Sequence, residues 1–302
     1  MTDSDYPESY VNTHWVAGHI DDPRVRLVEI IWGASPVFGK PAYDNQHIPG
    51  AIAWDFESDL QDSVRRDVID QTGLEALFSR SGVTPESTVV LYSGLNNLLA
   101  TYAFWLLKIY GHSHLSLLDG DRQKWLDEGR QTTQENPLVT PTSYHAREPD
   151  WSLRSSREDV LGSIDEANHL LIDARSVEMY SGLDKAGAAR GGHIPGAINL
   201  AALRETNPDG SFKAWRVPTV KAGGTFKSAI ELQIMFDSLG ITADKELITY
   251  CVRGGLSTHA WFVLTQLLGY PKVREYDRSW AEWGNSPDTP IVTGEQPYAE
   301  EC

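Results

Sequence analysis

The sequence predicts two tandem α/β domains, each a parallel sheet with helices on both faces. Three observations carry that expectation. The hexapeptide HIPGAI stands at His47–Ile52 and again at His193–Ile198. In each half, short apolar runs of strand length alternate with stretches of helical spacing, the pattern of a parallel sheet crossed by helices. Between the halves lies Gln131–Asp150, a polar stretch with three prolines and no periodicity. A chain of 302 residues is long enough for two ordinary domains.

Taken in order, the elements of the first half return in the second. LVEII (Leu27–Ile31) matches LIDAR (Leu171–Arg175) at an offset of 144, and the two HIPGAI segments are offset by 146. TVVLYSG (Thr88–Gly94) matches ELITYCV (Glu246–Val252), and Trp125 of DGDRQKW matches Trp283 of YDRSWAEW, both at an offset of 158. The growth from 146 to 158 implies 12 extra residues in the second half, and Ser211–Phe226, rich in Gly, Pro and Lys, is their natural place. HLLID (His169–Asp173) and ELITY (Glu246–Tyr250) suit strands buried on both faces. Ser228–Gly240 reads as a helix with Ser228 as N-cap and Gly240 as its stop, and Leu256–Tyr270 as another ending at Gly269. The expected division is a first domain over 1–130, a linker over 131–155 and a second domain over 156–302.

Composition excludes several partners. A formal charge of −16 opposes nucleic acid and anionic membranes, and no apolar run approaches a membrane span. The acidic, polar start MTDSDYPESY predicts neither a secretion signal nor a basic transit peptide. Cys251 and Cys302 are the two cysteines, which make no disulfide framework, so a reducing cytoplasm is the expected compartment. No His/Cys group has ligand spacing, and neither a metal nor an organic cofactor is expected.

A duplicated chain separates scaffold from chemistry. What both halves keep is structural: His47 and His193 read as turn residues bonding nearby backbone, and Trp125 and Trp283 as core. What one half alone carries is a candidate for function. Cys251 stands where the first half has Ser93, Arg175 where it has Ile31, and Arg253 where it has Leu95. One active and one inert domain would look like this. A cysteine in a turn between a buried strand and a helix N-terminus meets several backbone N–H groups, and Arg253 adds charge, so the thiolate is stabilised. Gly254 and Gly255 allow the tight backbone such a cradle needs. A cysteine phosphatase would place arginine six positions after its cysteine, where this chain has Ser257. The six-residue loop Cys251, Val252, Arg253, Gly254, Gly255, Leu256 suits the smaller terminal sulfur of a persulfide.

The tandem halves, GHIPGA, the DAR triplet and the cysteine loop before STHAWFVLTQLLGY together resemble the two-domain rhodanese family of sulfurtransferases. The resemblance covers nearly the whole chain. It implies two rhodanese-like domains, the second catalytic and the first inert, with Cys251 as the residue that becomes a persulfide. It also implies that Arg175 binds the donor anion and that Arg253 is the basic third position of the loop. Val252 departs from the basic second position of thiosulfate-type loops, and Leu256 from their Thr or Arg at position six. Arg253 departs from the nearly uncharged loops of mercaptopyruvate-type members. Thiosulfate as a small anionic donor, with cyanide, a thiol or a protein as sulfur acceptor, is the leading expectation. The alternatives are 3-mercaptopyruvate as donor, or a carrier module that hands sulfur to a partner protein.

Overall fold

The structure, a computed structural model, describes residues 9–298 apart from 36 and 63–66. Most of the acidic amino-terminal stretch, and Cys302, lie outside the described residues. The chain forms two compact units. The first runs to Asp150 and includes Ala222–Phe226; the second holds Trp151–Lys221 and the chain from Lys227 onward.

The first unit contains, in order, β1 (Tyr10–Val11), α1 (Thr13–His19), β2 (Val25–Ile31), α2 (Lys40–Asn45), β3 (Ile52–Asp55), α3 (Gln71–Arg80), β4 (Thr88–Tyr92), α4 (Leu98–Ile109), β5 (Leu115–Leu118) and α5 (Asp121–Asp127). Its sheet has the order β1-β5-β4-β2-β3, with every pairing parallel. All five residues of β4 are buried, because helices cover a parallel sheet on both faces.

The second unit repeats the plan with α6 (Arg157–Ser163), β6 (His169–Asp173), α7 (Val177–Ser181), β7 (Ile198–Asn199), β8 (Leu203–Thr206), β9 (Phe212–Arg216), α8 (Ala229–Ser238), β10 (Glu246–Tyr250), α9 (Gly255–Phe262), β11 (Val273–Glu275) and α10 (Ser279–Trp283). Its parallel sheet has the order β11-β10-β6-β7, which matches β5-β4-β2-β3 strand for strand. β3 and β7 start 146 residues apart, whereas α3 and α8 start 158 apart. The extra residues therefore fall between β7 and α8, where the sequence placed them. Part of that segment is an antiparallel hairpin of β8 and β9, which the composition of Ser211–Phe226 did not announce.

Local chemistry accounts for the element ends. At α8, Ser228 Oγ accepts the Glu231 N–H while the Glu231 carboxylate accepts the Ser228 N–H, and Leu232 and Phe236 turn into the core. α9 continues as a single π-type turn over Val263–Leu267 before Gly269 at φ +69°, so the helix expected over Leu256–Tyr270 is α-helical only in its first part.

The HIPGA segments form the same scaffold twice. His47 stacks on Tyr43 with centroids 3.9 Å apart, and His193 on Tyr180 at 3.7 Å. Each histidine donates Nδ1–H to its own tyrosine's carbonyl, at 2.8 and 2.9 Å. The two tyrosine hydroxyls donate to Ala51 and Ala197 carbonyls across the turn. Shared contacts of this kind are structural, as the repeat implied.

Most of the stretch expected as a linker packs on the first unit. Residues 131–150 carry little regular secondary structure, yet they belong to the first unit. Tyr144 is buried edge-on against Phe78 at 4.5 Å, its hydroxyl 3.0 Å from His112 Nδ1, and Thr142 Oγ1 donates to the Val83 carbonyl at 2.6 Å. The buried ring with its satisfied hydroxyl, together with these hydrogen bonds, holds an irregular strap down. Ala222–Phe226, expected in the second domain, also belongs to the first unit, where the Phe226 N–H donates to Asp119 Oδ1 at 2.9 Å.

Candidate active site

β10 ends at Tyr250, and Cys251 begins the turn into α9 at the carboxyl edge of the second sheet. Parallel α/β sheets present their ligand sites at this edge. Cys251 is a free thiol with 2% of its surface exposed. Its Sγ accepts the Gly254 N–H at 3.2 Å. Gly254 sits at φ +91° directly before α9, a conformation that glycine adopts without strain and that a Cβ would strain. The first intrahelical bond of α9 runs from Thr258 N–H to the Gly254 carbonyl, so the amides of Gly255, Leu256 and Ser257 have no acceptor within the helix. An anionic sulfur at Cys251 therefore faces one bonded amide and a helix N-terminus. Within the loop, Val252 is half-buried, Arg253 is exposed and Leu256 is buried.

The backbone of Cys251 is held from the far side. Its N–H donates to Ser279 Oγ at 3.0 Å, and that hydroxyl donates to the Tyr276 carbonyl at 2.8 Å. Its carbonyl accepts from Trp280 N–H at 3.0 Å, and the Val252 carbonyl from Ala281 N–H at 3.1 Å. Ser279 carries φ +51°, strain that its hydrogen bonds hold in place.

Arg175 lies just past the end of β6, next to the cysteine loop's strand. It is fully buried, with Nε and Nη2 engaged inside the protein. Asp173, two residues earlier, takes Nε at 2.9 Å and Nη2 at 2.5 Å, and the Gly192 carbonyl takes Nη2 at 2.7 Å. The Trp280 ring covers the guanidinium at 4.2 Å. Burial works against this charge, but Asp173 outweighs burial and keeps it, within electrostatic reach of Cys251. The arginine's Nη1 is buried without a hydrogen-bond partner among the described residues.

The first unit shows the same turn closed on itself. Ser93 takes the cysteine's place, and its N–H donates to the Asn97 side chain at 2.9 Å. Asp121 occupies the position of Ser279, with the same left-handed backbone at φ +56°. Its Oδ2 accepts the Asn96 N–H at 2.7 Å, the amide equivalent to the one that meets Cys251 Sγ. Burial raises the Asp121 carboxyl to about 6, against the pull of the backbone amides of Asn96, Gln123 and Lys124. The turn thus carries its own carboxyl where the second unit leaves an amide for sulfur. Asp121 against Ser279 was visible in the aligned DGDRQKW and YDRSWAEW segments, but only the φ values show that both hold one turn.

The rhodanese-like domain family matches this chain twice, over residues 12–128 and 156–286. The chain belongs to the rhodanese family. Among curated rhodanese relatives, the sulfur carrier protein TtuD of Thermus thermophilus is 42% identical over 96% of this chain and 99% of its own length. A protein of Saccharopolyspora erythraea, provisionally named a thiosulfate sulfurtransferase, is 40% identical over 94% of this chain and 96% of its own. Among solved structures, YnjE is 25% identical with a TM-score of 0.77, covering 96% of this chain and 69% of that one. An anaerobic ergothioneine biosynthesis enzyme from Chlorobium limicola shares the fold, with 23% identity and a TM-score of 0.80 over 94% of this chain and 70% of that one. Two tandem rhodanese domains place the chain among the sulfurtransferases. Among the described residues no helix is long and apolar enough to cross a membrane.

Proposed function

We propose that this rhodanese moves a sulfane sulfur from thiosulfate to a nucleophilic acceptor through a persulfide on Cys251. The observation that carries this reading is the Gly254 N–H aimed at Cys251 Sγ, beside the first amides of α9, which have no acceptor within the helix. The Cys251 thiolate attacks the outer sulfur of thiosulfate; the S–S bond of the donor breaks and its electron pair leaves on sulfite. The persulfide's outer sulfur is then attacked by an acceptor such as cyanide, and the electron pair of the second S–S bond returns to Cys251. Arg253, exposed on the loop, is the residue proposed to meet the donor's sulfonate oxygens. The second unit is the catalytic one, and the first, whose turn is capped by Asp121, is inert. Such a thiol works in a reducing compartment such as the cytoplasm.

A second reading has a specific support. The 42% identical relative is named a sulfur carrier protein, and a persulfide on this loop could likewise be passed to a protein partner. Intact mass after incubation with thiosulfate or 3-mercaptopyruvate, with and without cyanide, tests both readings. The expected result is a gain of one sulfur atom, faster from thiosulfate, removed by cyanide and abolished in Cys251→Ser. Sulfur retained against cyanide would favour the carrier. Uptake in the Cys251→Ser protein would overturn the nucleophile, and faster uptake from mercaptopyruvate would overturn the donor.

A further inference from the structure

Behind the loop the two units differ in a way that packing alone does not require. In the first sheet Leu91 of β4 pairs in register with Leu117 of β5, and Leu99 lies in the first turn of α4; all three are buried. In the second sheet Thr249 of β10 pairs in register with Glu275 of β11, and Ser257 lies in the first turn of α9. Each pair of equivalents is 158 residues apart. A layer of three leucines in one unit is thus a threonine, a glutamate and a serine in the other. The three polar residues are as buried as the leucines, at 0% exposure each. Burying a carboxyl group costs free energy that leucine would not cost, and the first unit shows that this fold accepts leucine there.

The layer brackets the sulfur loop. Thr249 stands two residues before Cys251 and donates its hydroxyl to Glu275 Oε2. Ser257 follows Leu256, the last loop residue, and donates to Glu275 Oε1. One carboxyl group therefore ties the strand that delivers the cysteine to the helix turn that delivers the amides. Leucines can fill the same space but cannot fix direction, whereas hydrogen bonds restrict both distance and angle. Resting on the reading of Cys251 as the sulfur carrier, we propose that Glu275, with Thr249 and Ser257, is the positioning residue that sets the geometry of the loop for sulfur transfer. Burial pushes the Glu275 carboxyl well above the usual range and the Asp277 charge adds to this, while the Thr249 and Ser257 hydroxyls pull it down. Asp277 is itself paired with Arg154 at 2.7 Å.

The test replaces the layer by the one the first unit already uses. The triple variant Thr249→Leu, Ser257→Leu, Glu275→Leu should unfold at the wild-type temperature or higher. Its persulfide should form about 10²-fold more slowly at saturating thiosulfate, the scale of a misplacement near 1 Å. Glu275→Gln keeps a group that can bond both hydroxyls and should stay within about threefold of wild type. Should the triple variant fail to fold, Ser257→Ala cuts one tether and should slow the step about tenfold, assayed well below an unfolding midpoint that falls because Glu275 Oε1 loses its donor. A structural role alone would lower stability and leave the rate of the fully folded protein unchanged. Wild-type rates in the triple variant or in Ser257→Ala, or a Gln variant as slow as the triple, would overturn the positioning role. Absence of sulfur uptake in the wild type would instead overturn the persulfide reading, and this inference with it.

Discussion

Arg175 and Arg253 carry the same guanidinium group in opposite environments, and their removal should be felt in different measurements. Arg175→Met leaves Asp173 buried with no charge to match it, which costs about 3–5 kcal/mol of stability. Arg253→Met removes an exposed loop side chain and should change stability by no more than about 0.5 kcal/mol. Its effect belongs to the reaction: kcat/KM for thiosulfate should fall by about 1.5–3 kcal/mol in transition-state terms, and that for mercaptopyruvate by less. Urea unfolding and two-donor kinetics on both variants separate the roles. An Arg175→Met protein as stable as wild type, or equal losses on both donors in Arg253→Met, would refute the assignment.

At the scale of the element, the turn from β10 into α9 works because one residue adopts a backbone that side chains resist. Gly254→Ala places a Cβ at φ +91°, which costs roughly 1–2 kcal/mol or turns the peptide away. Either outcome disturbs the amide that meets Cys251 Sγ. Sulfur uptake from thiosulfate should therefore slow in the Ala variant more than an unfolding midpoint would suggest. An unchanged rate would remove this amide from the mechanism. How legible such elements were follows from what holds them. HLLID and ELITY were read to the residue, since strands buried on both faces write an unbroken apolar run. The cysteine, its glycines and its helix were legible for a similar reason: the contrast with Ser93 stands in the repeat itself. The strap over 131–150 was not, because one buried Tyr144 anchors a stretch that is otherwise polar. Arg175's burial was not legible, for a different reason. Its partner Asp173 stands in the same triplet, but whether the two side chains meet depends on how the chain turns after β6.

The whole molecule is one fold carried twice, and the burial of Glu275 marks only the second copy, since Leu117 takes that place in the first. This asymmetry has a consequence for stability against pH. Burial raises the Glu275 carboxyl well above its ordinary value of 4.5, so the folded chain keeps a proton that the unfolded chain releases. Below that ordinary value both states are protonated, and the group's contribution to stability is fully present. As pH climbs, the unfolded chain gains by ionising first, and the contribution is progressively lost until the folded-state value is passed. Glu275→Gln has no proton to lose there and retains bonding partners for Thr249 and Ser257. Urea unfolding of both proteins from about pH 4 to about pH 8 should therefore show a gap that opens in favour of the Gln variant as pH rises. Parallel curves across that range would mean that Glu275 ionises in the folded chain much as it does in the unfolded one.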